Sequence, residues 1–229
     1  MIDRFIKYFI VLALCLCAAN LASAQPLCYV EHDAYVSYYD LSTNNPALVV
    51  WELKYKDFQG VLKPTSRHFR SDTQLPPPRV KDKHLKGTGY VRGHLCPAAD
   101  RDSDKGLLKQ TFFTSNMSPM TMVCNSGAMK IVEDTIRYLA KTHFTQVTCA
   151  GTIFADSLLG APEINGVAVP VAFFRLTRCK KHPEEIYAWV IQNSQTSSRP
   201  CRCTVDVLQQ VLQDRPSVLA ALRQNGFID

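Results

Sequence analysis

Residues 125–153 read NSGAMKIVEDTIRYLAKTHFTQVTCAGTI. Met129, Val132, Ile136 and Leu139 recur at spacings of 3, 4 and 3, the stripe that one face of a helix turns to a core. Lys130, Asp134, Arg137 and Lys141 lie outside that stripe, so residues 125–143 predict an amphipathic helix. The stretch 146–153 that follows is rich in Val, Thr and Ile and reads as a strand. Working outward, residues 47–56 (ALVVWELKYK), 167–176 (VAVPVAFFRL) and 185–192 (EIYAWVIQ) also read as strands. Residues 204–213 and 217–225 read as helices, separated by Pro216 and ended by Gly226. Residues 75–86, with three consecutive prolines and many charges, read as an exposed loop. Strands and helices do not alternate regularly. That pattern predicts an α+β fold, a mainly antiparallel sheet flanked by helices, over a doubly wound one.

The composition is compatible with one folded domain. The chain has 229 residues, of which 46% are hydrophobic, which argues against a disordered chain, a collagen-like repeat and a polytopic membrane protein. A net charge of +6 permits an anionic partner without requiring one. Arg4 and Lys7 precede an apolar run over residues 8–19, and Ala22-Ser23-Ala24 gives a small-x-small cleavage site. This is the pattern of a signal peptide over residues 1–24; the run is short of the roughly 20 residues a spanning helix needs. The expectation is therefore a secreted or periplasmic protein with a single domain over residues 25–229.

Two of the nine cysteines fall within the expected signal peptide, leaving Cys28, Cys96, Cys124, Cys149, Cys179, Cys201 and Cys203. An oxidising compartment predicts disulfides, and an odd number predicts at least one unpaired thiol, for which Cys149 is the candidate. Cys96 lies two residues from His94 and Cys124 immediately precedes Asn125, so a Cys96–Cys124 bridge could brace one site. Two buried thiols are the alternative, and Cys179, His182, Cys201 and Cys203 offer a rival zinc set.

The chemistry-bearing residues cluster in residues 89–101, GYVRGHLCPAADR. His94 could act as a general base, because an unperturbed imidazole titrates near neutrality. Arg92 could clamp a phosphate in bidentate fashion, and Gly93 permits close approach. Read alone, a surface His–Arg pair or a structural turn is the default for this segment. Downstream stand Ser115-Asn116-Met117-Ser118-Pro119, then Asn125 and Glu133. An Asn carbonyl oxygen suits a hard cation such as Mg²⁺; at the head of the predicted helix, Asn125 also reads as its N-cap. Glu133 alone would be an exposed helical carboxylate.

Taken in order, these residues resemble the DNA/RNA non-specific endonucleases of the ββα-metal class. The family's D-R-G-H stands here as Val91-Arg92-Gly93-His94, its S-N-x-x-P as Ser115 to Pro119, and its metal Asn and helical Glu as Asn125 and Glu133. An upstream Arg matches Arg67, and Val169-Pro170-Val171-Ala172-Phe173-Phe174-Arg175 is similar to the family's V-P-x-x-F-[YF]-K strand. The resemblance spans about residues 47–215. Val91 replaces the usual Asp, Met120 a Gln and Met129 a Trp.

The resemblance implies a ββα-metal catalytic core, DNA and RNA as substrates, and a single Mg²⁺, for which Mn²⁺ substitutes. It also implies His94 as the base that deprotonates water, Asn125 as the direct metal ligand, Arg67 and Arg92 on phosphate oxygens, and products with 5′-phosphate ends. A continuous helix from Asn125 to Glu133 would rise about 12 Å. Glu133 is therefore expected to reach the ion through its water shell. Three alternatives stay open: a phosphodiesterase acting on small nucleotides, a catalytically impaired nucleic-acid-binding homologue, and a disulfide-stapled extracellular structural domain.

Overall fold

The computed structural model describes residues 26–60, 62–63, 69–155 and 162–229. The expected signal peptide and Arg67 lie outside the described residues.

In chain order the elements are β1 (Cys28–His32), β2 (Tyr35–Asp40), β3 (Asn45–Leu53), β4 (Val91–His94), α1 (Lys105–Gln110), β5 (Met117–Met120), α2 (Lys130–Thr142), β6 (Gln146–Ile153), β7 (Glu163–Ile164), β8 (Val167–Ala168), β9 (Ala172–Cys179), β10 (Ile186–Gln192), β11 (Pro200–Cys203), α3 (Val205–Val211) and α4 (Pro216–Gln224). Seven strands form one sheet in the order β1-β2-β3-β6-β9-β10-β11, and every neighbouring pair in it is antiparallel. The fold is thus α+β with an antiparallel sheet, as the irregular order of elements predicts.

The central strands are apolar on both faces because both faces are covered. Val49, Trp51 and Leu53 of β3 pack with Ala150, Phe173, Trp189 and Ile191 against Val132, Ile136 and Ala140 of α2. The alternate residues Leu48 and Val50 pack with Cys149, Phe174, Leu176 and Ala188 against Leu208, Leu212, Val218 and Leu222 from the C-terminal helices. Alternation along a strand therefore assigns each residue to one of two cores. Gly151 has no room for a side chain: a Cβ there would lie 2.4 Å from the Ala47 carbonyl oxygen.

Several boundaries differ from the sequence reading. The run over residues 167–176 is two strands, since Pro170 has no N–H to donate and β9 starts only at Ala172. The loop over residues 75–86 contributes Leu75, Val80 and Leu85 to buried positions, so it is a packed loop and not an exposed one. The helix opens at Met122, earlier than its apolar stripe suggests, and a π-helical turn, Cys124–Met129, precedes α2. Thr121 caps it, its Oγ1 accepting from the Cys124 N–H at 3.0 Å. Asn125 is consequently not the N-cap. It sits inside the widened π turn, a feature frequent at functional sites.

Candidate active site

Strand β4 pairs antiparallel with β5, with Val91 opposite Met120 and His94 opposite Met117. Period-2 alternation puts Arg92 and His94 on one face of β4 and Val91 and Gly93 on the other. Val91 packs against the core cluster beneath α2. Gly93 is demanded by close approach, since a Cβ there would lie 2.7 Å from Met120 Cβ. The chain just after His94 is clamped by Asn116, whose Oδ1 accepts from Cys96 N–H at 2.7 Å and whose Nδ2 donates to Cys96 O at 2.9 Å. Asn116 is therefore scaffolding for the segment that follows β4.

His94, Asn125 and Glu133 line one cleft of about 600 Å³, together with Phe58, Ser126, Lys130 and Arg137. Strand β4 delivers the first, the π turn the second and α2 the third. His94 packs on the Phe69–Phe112 pair, each ring centroid 4.8 Å from its own and the two 5.3 Å from one another. Burial, with Arg92 nearby, pulls its pKa down to about 4, so the imidazole is neutral at physiological pH. Its Nε2 is buried without a partner, which leaves Nδ1 as the nitrogen available to the cleft.

Glu133 is held from two sides. Arg175 Nη2 donates to its Oε1 at 3.0 Å, and Arg137 Nη2 lies 4.0 Å from its Oε2. Burial pushes the Glu133 carboxyl up to about 7, against the pull of Arg175. Arg137 is fixed in turn by the buried Asp100 at 2.7 Å and by Asp134 at 2.7 Å, and Asp100 also accepts from Trp51 Nε1 at 3.0 Å. The expected exposed helical carboxylate is thus the centre of a mostly buried ionic network.

Arg92 is placed differently. Its Nη1 donates to Asp82 Oδ1 at 2.7 Å, and its guanidinium lies 5.8 Å from the Phe69 ring centroid. Asp82 supplies the carboxylate that Val91 does not, from a loop twelve residues before His94. Arg92 shares the face of His94 but is not among the residues lining the cleft.

The donor set fits a hard, hydrated cation. Among the described residues, none hydrogen-bonds the side-chain amide of Asn125, and no group of three or more His, Cys, Asp or Glu converges on a metal position. A cation at Asn125 would have few protein ligands and would keep most of its water, as Mg²⁺ does. The same observation leaves the Cys179, His182, Cys201 and Cys203 set without a shared centre.

The cysteine expectations need correcting. All seven described cysteines are free, and the Cys96–Cys124 bridge is not formed. Both thiols are fully buried in the cluster beneath α2, and burial pushes Cys96 to about 12 and Cys124 to about 11. They act as small apolar residues behind the site.

With β4, β5 and the helix assembled around one cleft, the family follows. Residues 22–216 match the model of the DNA/RNA non-specific endonuclease family, and the chain belongs to that family. It is 29% identical over 156 residues to mitochondrial endonuclease G of Bos taurus, covering 62% of this chain and 51% of that protein. It is also 29% identical over 144 residues to a nuclease of Nostoc sp. (strain PCC 7120), covering 62% of this chain and 51% of that protein. The chain thus spans about half the length of the curated relatives it matches. The crystal structure of the EndoG/EndoGI complex shares its fold, with a TM-score of 0.69 at 23% identity over 83% of this chain and 85% of that one.

Proposed function

We propose that this protein is an exported endonuclease that hydrolyses phosphodiester bonds of DNA and RNA, with His94 as general base. The observation that carries the reading is the meeting of a neutral imidazole, an uncommitted Asn carbonyl and a carboxylate in one cleft. His94 takes a proton at Nδ1 from a water poised for in-line attack on phosphorus. Asn125 would hold Mg²⁺, or Mn²⁺ in its place, which when bound neutralises charge on the scissile phosphate and the departing 3′ oxygen. Glu133 accepts hydrogen bonds from ordered water beside Asn125 and so fixes its orientation. Arg92, aimed by Asp82, and Arg67 hold phosphate oxygens. The P–O3′ bond breaks as the water oxygen bonds to phosphorus, and the departing 3′ oxygen takes a proton from solvent water, which leaves 5′-phosphate and 3′-hydroxyl ends. Contacts to backbone phosphate carry little sequence information, which accords with low specificity and with acceptance of both DNA and RNA. Export rests on the residues 1–24 pattern and on the basic and apolar runs within it.

Purified protein incubated with supercoiled plasmid and with single-stranded RNA tests the reading. Cleavage of both in Mg²⁺, abolished by EDTA and restored by Mn²⁺, is expected. Full cleavage after exhaustive chelation, or cleavage confined to a dinucleotide phosphodiester, overturns it. Aminoterminal sequencing of protein recovered from a secreting host tests export, with Gln25 the expected first residue.

A further inference from the structure

Arg175 lies in the middle of β9, opposite Ala150 on one neighbouring strand and Trp189 on the other. It is 0% exposed and cannot touch a substrate. Its Nη2 donates to two acceptors: Glu133 Oε1 at 3.0 Å and the Leu95 carbonyl oxygen at 2.8 Å. Leu95 follows His94 directly in sequence. One nitrogen therefore ties the strand that presents the base to the helix that presents the carboxylate.

The rest of the guanidinium is poorly provided for. Nε and Nη1 are buried with no partner, and the group lies 5.5 Å from the Trp51 ring centroid. A buried cation with most of its donors unmatched is costly, and an apolar side chain of like volume would pack this position at least as well. Stability alone does not account for an arginine here. We propose that Arg175 is a positioning residue of the reaction, setting the separation and orientation of His94 and Glu133 through its two-acceptor bridge. This rests on the reading of those two residues as the working groups of the cleft. Misplacement of a reacting group by about 1 Å costs on the order of 10²-fold in rate, so the bridge is worth its desolvation.

The test compares wild type with Arg175→Met, Arg175→Lys, Glu133→Gln and the Arg175→Met/Glu133→Gln pair. Turnover is followed on plasmid in Mg²⁺, duplex affinity in EDTA, and folding by thermal melting. Arg175→Met should lose about 10²-fold in kcat, with KM and duplex Kd little changed. Arg175→Lys, which keeps the charge and one donor direction, should recover to within about tenfold of wild type. In the Glu133→Gln background the Met substitution should cost at most about threefold more, because residues acting as one unit are not additive. A folded Arg175→Met with wild-type kcat overturns the proposal, as does a full multiplicative loss in the double variant. If Arg175→Met fails to fold, the same cycle with Arg175→Lys decides: a kcat loss that persists undiminished in Glu133→Gln sinks the idea, and one that vanishes there supports it. Wild type that does not cleave in Mg²⁺ instead refutes the nuclease reading on which the proposal depends.

Discussion

Asp72 and Glu133 are two largely buried carboxylates in opposite electrostatic conditions. Asp72, away from the cleft, receives His32 Nε2 at 2.7 Å, Ser115 Oγ at 2.5 Å and the Gln74 N–H at 3.0 Å. Burial raises its pKa, but those hydrogen bonds outweigh it and hold the group below the usual carboxylate range. His32 is itself fixed, stacked on Phe113 at 4.7 Å between centroids. Glu133 has a cation beside it, yet burial wins and the carboxyl rises to about 7. The saturated cluster ties β1 and β2 to the segment before β5, which is a structural task. The undersupplied one leaves a carboxylate that changes charge near neutrality beside a neutral imidazole. The contrast lies in the partners supplied to these two carboxylates and does not run through the whole molecule, since Tyr39 Oη and Arg178 Nε are also buried without partners away from the cleft.

The largest effects are expected at the cleft. His94→Ala should lower kcat by about 10²–10⁴-fold, the usual worth of a general base, while duplex affinity stays within a few fold. Asn125→Ala should also lose turnover. Excess Mg²⁺ should partly restore Asn125→Ala and leave His94→Ala unchanged, whereas imidazole should act on His94→Ala alone. A folded His94→Ala with near wild-type cleavage would return residues 89–101 to the structural-turn reading.

Next comes pH. His94 is deprotonated from about 4 upward, so it does not limit the rate between pH 5 and 8. Glu133 becomes ionised only as pH passes about 7. The pH profile of kcat/KM should therefore climb about tenfold per unit below that value and level above it. Glu133→Gln should flatten the climb along with lowering the plateau. A profile of Glu133→Gln that keeps the same slope would assign the climb to another group.

The smallest effect on turnover is expected at Asp72. Asp72→Asn breaks a buried pair and should cost about 3 kcal/mol in chemical denaturation. Turnover per folded molecule should stay nearly unchanged. The sign of the pH dependence follows from the direction of the shift. A depressed native pKa means stability that is present above the unfolded value of about 3.9 and is lost as pH falls through the native one. Wild type should therefore lose more stability on acidification from pH 5 than Asp72→Asn does. Equal acid sensitivity in the two proteins would show that the His32–Asp72–Ser115 cluster contributes nothing through charge.

Much of this protein is legible in its sequence. The β-branched and apolar runs in residues 47–53 and 146–153 and the stripe Met129–Val132–Ile136 place elements because strand propensity and helical periodicity are local properties of the chain. His94, Asn125 and Glu133 stand out in the sequence through the resemblance to the nuclease family, and the fold brings all three to one cleft. Arg175 was quoted as part of a strand motif, but its bond to Glu133 was missed. The available signal was a charge inside the apolar run AFFRL, which a buried strand tolerates only with a partner. Arg137, four residues after Glu133 on one helix, offered a similar hint. Asp82 offered none, because nothing local links a loop residue to Arg92 ten positions later.

Sequence by itself determined the antiparallel α+β class, the family and the residue types at the cleft. Each of these depends on periodicity or on short, ordered motifs, which are local in the chain. Only the tertiary structure decided that the seven described cysteines stay free, that Thr121 and not Asn125 caps the helix, that Asp82 pairs with Arg92, and that burial drives both His94 and Glu133 towards their neutral forms, the pKa of the first down and of the second up. Those outcomes depend on desolvation and on partners from distant segments, and neither quantity exists until the chain has folded.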